Sequence, residues 1–148
     1  MKFEGHIDIQ QSIEIVTQLF ADPQYLGEYQ EGFVKKELIS GTAGQKGAVS
    51  NMYYQHGKHK MELKETILKN ELPGAFEAFY HHKHMDNTMR CTFEEIGDQQ
   101  TRYSWKVDYT RINWVMPRLI AILFPGAYTK PAKKWMENFK QFAESFEG

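Results

Sequence analysis

The sequence predicts an α+β chain: one strand, two short helices, a six-stranded antiparallel meander and a long C-terminal helix. Three observations carry that prediction. Between Phe33 and Thr110, short aromatic, β-branched or alternating runs are separated by turn residues, as in strands joined by hairpins. From Ala132 to Phe146, apolar residues recur at helical spacing. Between the first strand-like run and the meander lie two segments with helix-start signals. A chain of 148 residues suits one domain, 1–148, with a core that needs no disulfide or metal staple.

Each element has a local reason. Phe3, Gly5, Ile7 and Ile9 alternate with Glu4, His6 and Asp8, the period-2 pattern of a half-buried strand. Ser12 is placed as an N-cap, and Ile13, Val16 and Phe20 follow at helical spacing, with Ile15 and Leu19 widening the stripe. Asp22-Pro23 ends that helix, because a residue before proline is pushed out of helical geometry. Pro23 at a first helical position starts a second helix reaching about Tyr29. Phe33 to Ser40 is a strand, and Gly41, Gly44 and Gly47 mark the turn after it. Strands then run Ala48 to Gln55, Lys58 to Lys69, Ala75 to Met85, Thr88 to Ile96 and Thr101 to Thr110. Their turns are expected at His56-Gly57, Pro73-Gly74, Asp86-Asn87 and Gly97-Asp98. On the last strand Tyr103, Trp105, Val107 and Tyr109 face one way. The terminal helix carries Ala132, Trp135, Met136, Phe139, Phe142, Ala143 and Phe146 on one stripe, with Lys133/Glu137 and Lys140/Glu144 as i,i+4 pairs outside it.

Composition removes several functions. Eighteen Lys and Arg balance 19 Asp and Glu, which argues against a dedicated nucleic-acid binder. Cys91 is the single cysteine, so an internal disulfide and a cysteine-built zinc site are excluded and a reducing, cytoplasmic setting is expected. The most apolar stretch, Trp114 to Phe124, contains Pro117 and Arg118 and falls short of the ~20 residues of a membrane span, so no stable membrane insertion is expected. The glycines from Gly41 to Gly47 lack phosphate-loop spacing, and no Gly-x-Ser-x-Gly elbow is present.

Seven antiparallel strands in one sheet twist and curl, and one amphipathic helix cannot cover the whole concave face. The remaining volume is filled by large side chains or left as a cavity. The chain resembles the START-like SRPBCC superfamily (helix-grip fold), closest to its polyketide cyclase/dehydrase and lipid-transport branch. The resemblance spans nearly the full length and rests on the order of its features. These are the helix end from Val16 to Asp22, Tyr29, the glycine turn ending at Gly47, and Glu65-Thr66-Ile67 followed by Pro73. Thr101 opening the last strand and the helix from Lys130 to Glu147 complete them. Ser12-Ile13 replaces the Ala-Pro pair common before the first helix, and Pro125-Gly126 splits what is often one C-terminal helix. The resemblance implies a cavity for hydrophobic or amphipathic molecules between sheet and terminal helix; some relatives are cyclases or aromatases and many bind only.

Strand parity assigns the concave face to Met52, Tyr54, Met61, Leu63, Phe76, Tyr80, Met89, Phe93, Tyr103, Trp105 and Tyr109, faced by Trp135, Met136 and Phe139. The expected ligand is a lipid or polycyclic aromatic compound, oriented by Tyr54, Tyr80 and Tyr103, with no metal or other cofactor. The assembly is expected to be a monomer or homodimer. If the cavity is catalytic, His82 and Glu65 are the acid/base candidates. His82 and His84 share a face, but nothing marks a third metal ligand. Trp114 to Phe124, including Leu119, reads as a lid hinged at Pro125 and Gly126, with a dimer contact, a membrane-docking helix and a protein-interaction surface as alternatives. Lys130, Lys133 and Lys134 read as solvated lysines, with attraction of a ligand carboxylate near the entrance as the alternative. Cys91, between Met89 and Phe93, reads as a buried inert thiol.

Overall fold

The computed structural model describes residues 2–112 and 130–147. Seven strands, β1 (Lys2–Ile9), β2 (Phe33–Ser40), β3 (Val49–His56), β4 (His59–Glu71), β5 (Ala75–His82), β6 (Met85–Gly97) and β7 (Gln100–Ile112), form one sheet. Its order is β1-β7-β6-β5-β4-β3-β2, and every neighbouring pair is antiparallel. Helices α1 (Ile13–Ala21) and α2 (Leu26–Tyr29) carry the chain from one sheet edge to the other, and α3 (Lys130–Ser145) closes the chain. This is the helix-grip α+β arrangement. The expected lid, with Trp114, Leu119, Phe124, Pro125 and Gly126, lies outside the described residues.

Local chemistry accounts for the element boundaries. The Ser12 hydroxyl accepts from the Ile15 N–H at 3.3 Å, capping α1. Asp22 leaves helical geometry before Pro23 and accepts from the Gln24 N–H at 3.0 Å. The second helical segment is a 3-10 turn, Pro23–Tyr25, continued by α2. Strands β4, β6 and β7 each run 13 residues, and register shifts interrupt β2, β4 and the β6–β7 pairing. Such bulges bend a strand and increase its twist, which lets long strands wrap a helix.

Two turns, Gly57-Lys58 and Asp98-Gln99, fall one residue beyond expectation, and one differs more. The β5–β6 hairpin turns at Lys83-His84, and Asp86-Asn87 lies within β6, paired with Arg111, His81 and their neighbours. The Asp86 carboxylate takes two hydrogen bonds from Arg111, at 2.8 and 3.2 Å, and lies 2.6 Å from the His81 imidazole. Cross-strand partners thus hold two common turn formers inside a strand.

Helix α3 packs by its apolar stripe, with Met136, Phe139 and Ala143 buried. Polar bonds then fix its placement. Lys140 Nζ donates to the Asp8 carbonyl at 2.7 Å and to Glu144 at 2.7 Å, while Glu144 accepts from the Gln10 N–H at 2.8 Å. Asn138 donates to the Tyr29 carbonyl at 3.2 Å, and Lys134 pairs with Glu31 at 2.7 Å. These bonds tie the helix to the β1 edge and to α2.

Gly5 marks the tightest fit in the sheet. It pairs with Trp105, and a Cβ at position 5 would stand 2.6 Å from the indole ring. Gly5→Ala is therefore expected to destabilise the protein by about 1–3 kcal/mol through overpacking. Gly27→Ala, whose new Cβ meets its nearest atom at 3.8 Å, should change stability little. Urea denaturation of the two variants checks the contrast.

Candidate functional site

A cavity of about 1020 Å³ lies between the concave sheet face and α3. Among the parity-assigned residues, Met52, Tyr54, Met61, Leu63, Phe76, Tyr80, Met89, Tyr103 and Tyr109 line it, together with Trp135, Met136 and Phe139 of α3. The Trp135 ring stacks on Tyr54, centroid to centroid 5.7 Å with 16° between planes. Phe139 meets Tyr29 edge-on at 4.9 Å. The wall is aromatic and methionine-rich; thioether side chains adapt to irregular shapes.

Two parity-assigned residues stand elsewhere. Phe93 belongs to a packed aromatic cluster, its ring 5.1 Å from Phe20 and 4.8 Å from Tyr103. Here α1 delivers Phe20 onto the sheet, and that ring also meets Phe76, Tyr103 and Phe139 at 5.5–6.2 Å, so this end of the concave face is filled. Trp105 lies over the bare backbone of Gly5 and is itself nearly buried. Both sit on the expected face, but other side chains occupy the space above them.

His82 also falls outside the cavity lining. It ends β5, where its Nδ1 accepts from the His84 N–H at 3.1 Å and its carbonyl accepts from Arg111 at 2.6 Å. Partial burial, reinforced by His84, Lys83, His81 and Arg111, lowers its pKa below the ordinary histidine value. The imidazole organises a turn. Among the described residues, no group of three or more His, Cys, Asp or Glu side chains is placed to hold a metal ion.

Glu65 does reach the cavity, with only 4% of its surface exposed. Its Oε2 accepts from the Tyr80 hydroxyl at 2.8 Å. Lys36 Nζ stands 2.8 Å from Oε1, an ion-pair distance, yet its direction does not satisfy hydrogen-bond geometry and Oε1 has no hydrogen-bond partner. The distance establishes the charge pairing; the angles leave the acceptor open.

The neighbouring tyrosines are committed. Burial, and then the Glu65 charge, raises the Tyr80 phenol well above its ordinary pKa, so it remains a donor to Glu65. Burial and Glu65 likewise raise Tyr54, whose hydroxyl donates to Gln30 Oε1 at 2.8 Å. Tyr103 is raised by burial and by Cys91, whose Sγ lies 3.3 Å from its hydroxyl.

Strand parity alone does not find Lys36. A register shift between Phe33 and Lys35 resets the alternation in β2, so Phe33 packs on the core while Lys36 and Leu38 line the cavity. Phe20, Leu26 and Tyr29 add lining from the helices. Near the start of α3, Lys134 lines the cavity, paired to Glu31, while the side chain of Lys130 lies outside the described residues. A second depression of about 850 Å³, lined by Glu4, His6, Arg90, Thr92, Ser104 and Lys106 with Gly5 and Trp105, is charged and lies mainly on outward-facing strand positions. Its lining is about as polar as it is apolar, whereas that of the first cavity is mainly apolar.

No protein-family model matches the chain, and no curated protein matches it in sequence. Solved structures match closely in shape. The Zhui aromatase/cyclase of a Streptomyces species superposes with a TM-score of 0.78 at 8% identity, covering 97% of this chain and 93% of that one. Major latex-like protein 151 of Panax ginseng gives 0.73 at 15% identity, with 97% of both chains covered. Norcoclaurine synthase of Thalictrum flavum, in complex with dopamine and hydroxybenzaldehyde, gives 0.71 at 14% identity, covering 100% of this chain and 88% of that one. These neighbours are SRPBCC helix-grip proteins, and the chain shares their fold. Among the described residues, no helix is long and apolar enough to cross a membrane.

Cys91 gives this site a chemical test. It is fully buried, and burial pushes its thiol up to about 12, only partly offset by Tyr103. A disulfide thiol reagent at pH 8 should leave the native protein unlabelled and label it stoichiometrically in denaturant; rapid native labelling would contradict the burial.

Proposed function

We propose that the chain, acting as one domain over residues 1–148, binds or carries a hydrophobic small molecule such as a lipid or a polycyclic aromatic compound. The observation that carries this reading is the cavity of about 1020 Å³, walled by aromatic and methionine side chains. Native interiors are close-packed, with few voids larger than a water molecule, so a hollow of this size in a chain of 148 residues points to a guest. The buried, unpaired Cys91 supports a reducing, cytoplasmic setting.

Specific observations also favour a second reading, a cyclase- or dehydratase-type enzyme. Glu65 joins a donor phenol and an ammonium inside the apolar cavity, the means of moving a proton away from bulk water. Two of the structural neighbours are by name an aromatase/cyclase and a synthase. His82 has no part in this reading. Under it, Glu65→Gln abolishes turnover; under the carrier reading there is no turnover to lose.

Native mass spectrometry of gently purified protein should show a small organic adduct that is lost on denaturation. An apolar ligand at a hundredfold excess over its Kd should raise Tm by roughly 5–10 °C. Leu63→Trp, which places an indole in the cavity, should weaken that ligand at least about tenfold while the variant stays folded. No adduct and no thermal gain with any apolar ligand would refute the binding role.

A further inference from the structure

We infer that the cavity selects an apolar molecule bearing a neutral hydroxyl group, an alcohol or phenol that donates its hydrogen bond to Glu65 Oε1 and accepts one from Lys36. This inference rests on the binding role proposed above and names the ligand class. Its basis is the one buried carboxylate of the cavity wall. Glu65 is 96% withdrawn from solvent by its 4% exposure, and its Oε2 is filled by the Tyr80 hydroxyl. Oε1 faces Lys36 at 2.8 Å without a hydrogen bond. The ammonium compensates the charge of Oε1, but a carboxylate oxygen has two lone pairs, and inside an apolar cavity a ligand donor is what can fill the second.

The neighbouring groups narrow the choice. Tyr80 and Tyr54 have each committed their single proton, to Glu65 and Gln30, and a ligand carbonyl could accept from Lys36 but has no hydrogen to give Glu65 Oε1. A hydrocarbon leaves Oε1 as it found it. A ligand carboxylate has no proton to give and meets the Glu65 charge. A ligand ammonium can donate but cannot accept, and it meets Lys36 as a like charge. A hydroxyl both donates and accepts, matching a carboxylate and an ammonium side by side. Discrimination of this kind is strong, because an analogue lacking the hydroxyl leaves buried polar groups unpaired.

Three fluorescent probes of nearly one shape test the inference: pyrene, 1-hydroxypyrene and pyrene-1-carboxylate, titrated against the full chain at pH 7. 1-Hydroxypyrene is expected to bind at least tenfold more tightly than pyrene, and pyrene-1-carboxylate no better than pyrene. In the double variant Lys36→Met/Glu65→Met, which replaces the ion pair by apolar side chains, the hydroxyl advantage should vanish while pyrene affinity persists. Equal binding of pyrene and 1-hydroxypyrene to the unaltered protein, or tightest binding of the carboxylate, overturns the hydroxyl assignment and leaves the binding role standing. Binding of none of the three overturns this inference together with its premise. The comparison on the unaltered protein decides the matter even if the variant does not fold.

Discussion

Among the described residues, one helix of 16 residues grips a seven-stranded sheet bent by bulges, and the rest of the described structure follows from that mismatch. The helix buries Met136, Phe139 and Ala143 and is tied by Lys140, Glu144 and Asn138 to the β1 edge and to α2. At one end of the concave face, Phe20 of α1 adds a fourth side to the Phe93, Tyr103 and Phe139 cluster, and packing is complete. Farther along the strands, among the described residues, the space between α3 and the sheet is the cavity. The interior there is wall without filling.

The cavity wall combines two kinds of surface. Met52, Met61, Met89 and the aromatic rings provide shape without directionality, so burial of apolar area would supply most of the affinity for a guest. Glu65, Lys36 and Tyr80 supply direction. Holding an ion pair out of water is costly, and apolar side chains of similar volume often serve stability as well or better. A charge pair retained inside an apolar hollow therefore bears on recognition or chemistry more than on folding strength. Of the tyrosine hydroxyls expected to orient a ligand, Tyr80 bonds to Glu65, Tyr54 to Gln30 and Tyr103 to Cys91, so each already has a partner within the protein.

Fold similarity to an aromatase/cyclase, a major latex-like protein and a synthase at 8–15% identity locates the chain among architectures that serve different chemistries. A shared fold leaves function to the residues of the site. In this chain the polar lining includes the bonded group of Glu65, Lys36 and Tyr80, with Ser50 the cross-strand partner of Glu65.

Local periodicity alone determined the element order, the face of nearly every strand and the stripe of α3, because backbone geometry forces side chains to alternate in a strand and to recur at 3.6 in a helix. Ser12 and Pro23 marked helix starts for equally local reasons. Tertiary structure decided what lies above each face. Phe93 and Trp105 point inward as their alternation requires, yet Phe20 and the bare backbone of Gly5 claim their space. Cross-strand bonds from Arg111 and His81 kept Asp86 in a strand and moved the turn to Lys83-His84. A bulge beside Phe33 reset the parity of β2 and brought Lys36 to Glu65. Bulges, sheet curvature and helix docking depend on contacts between residues far apart in the chain, and no window along a single strand contains them.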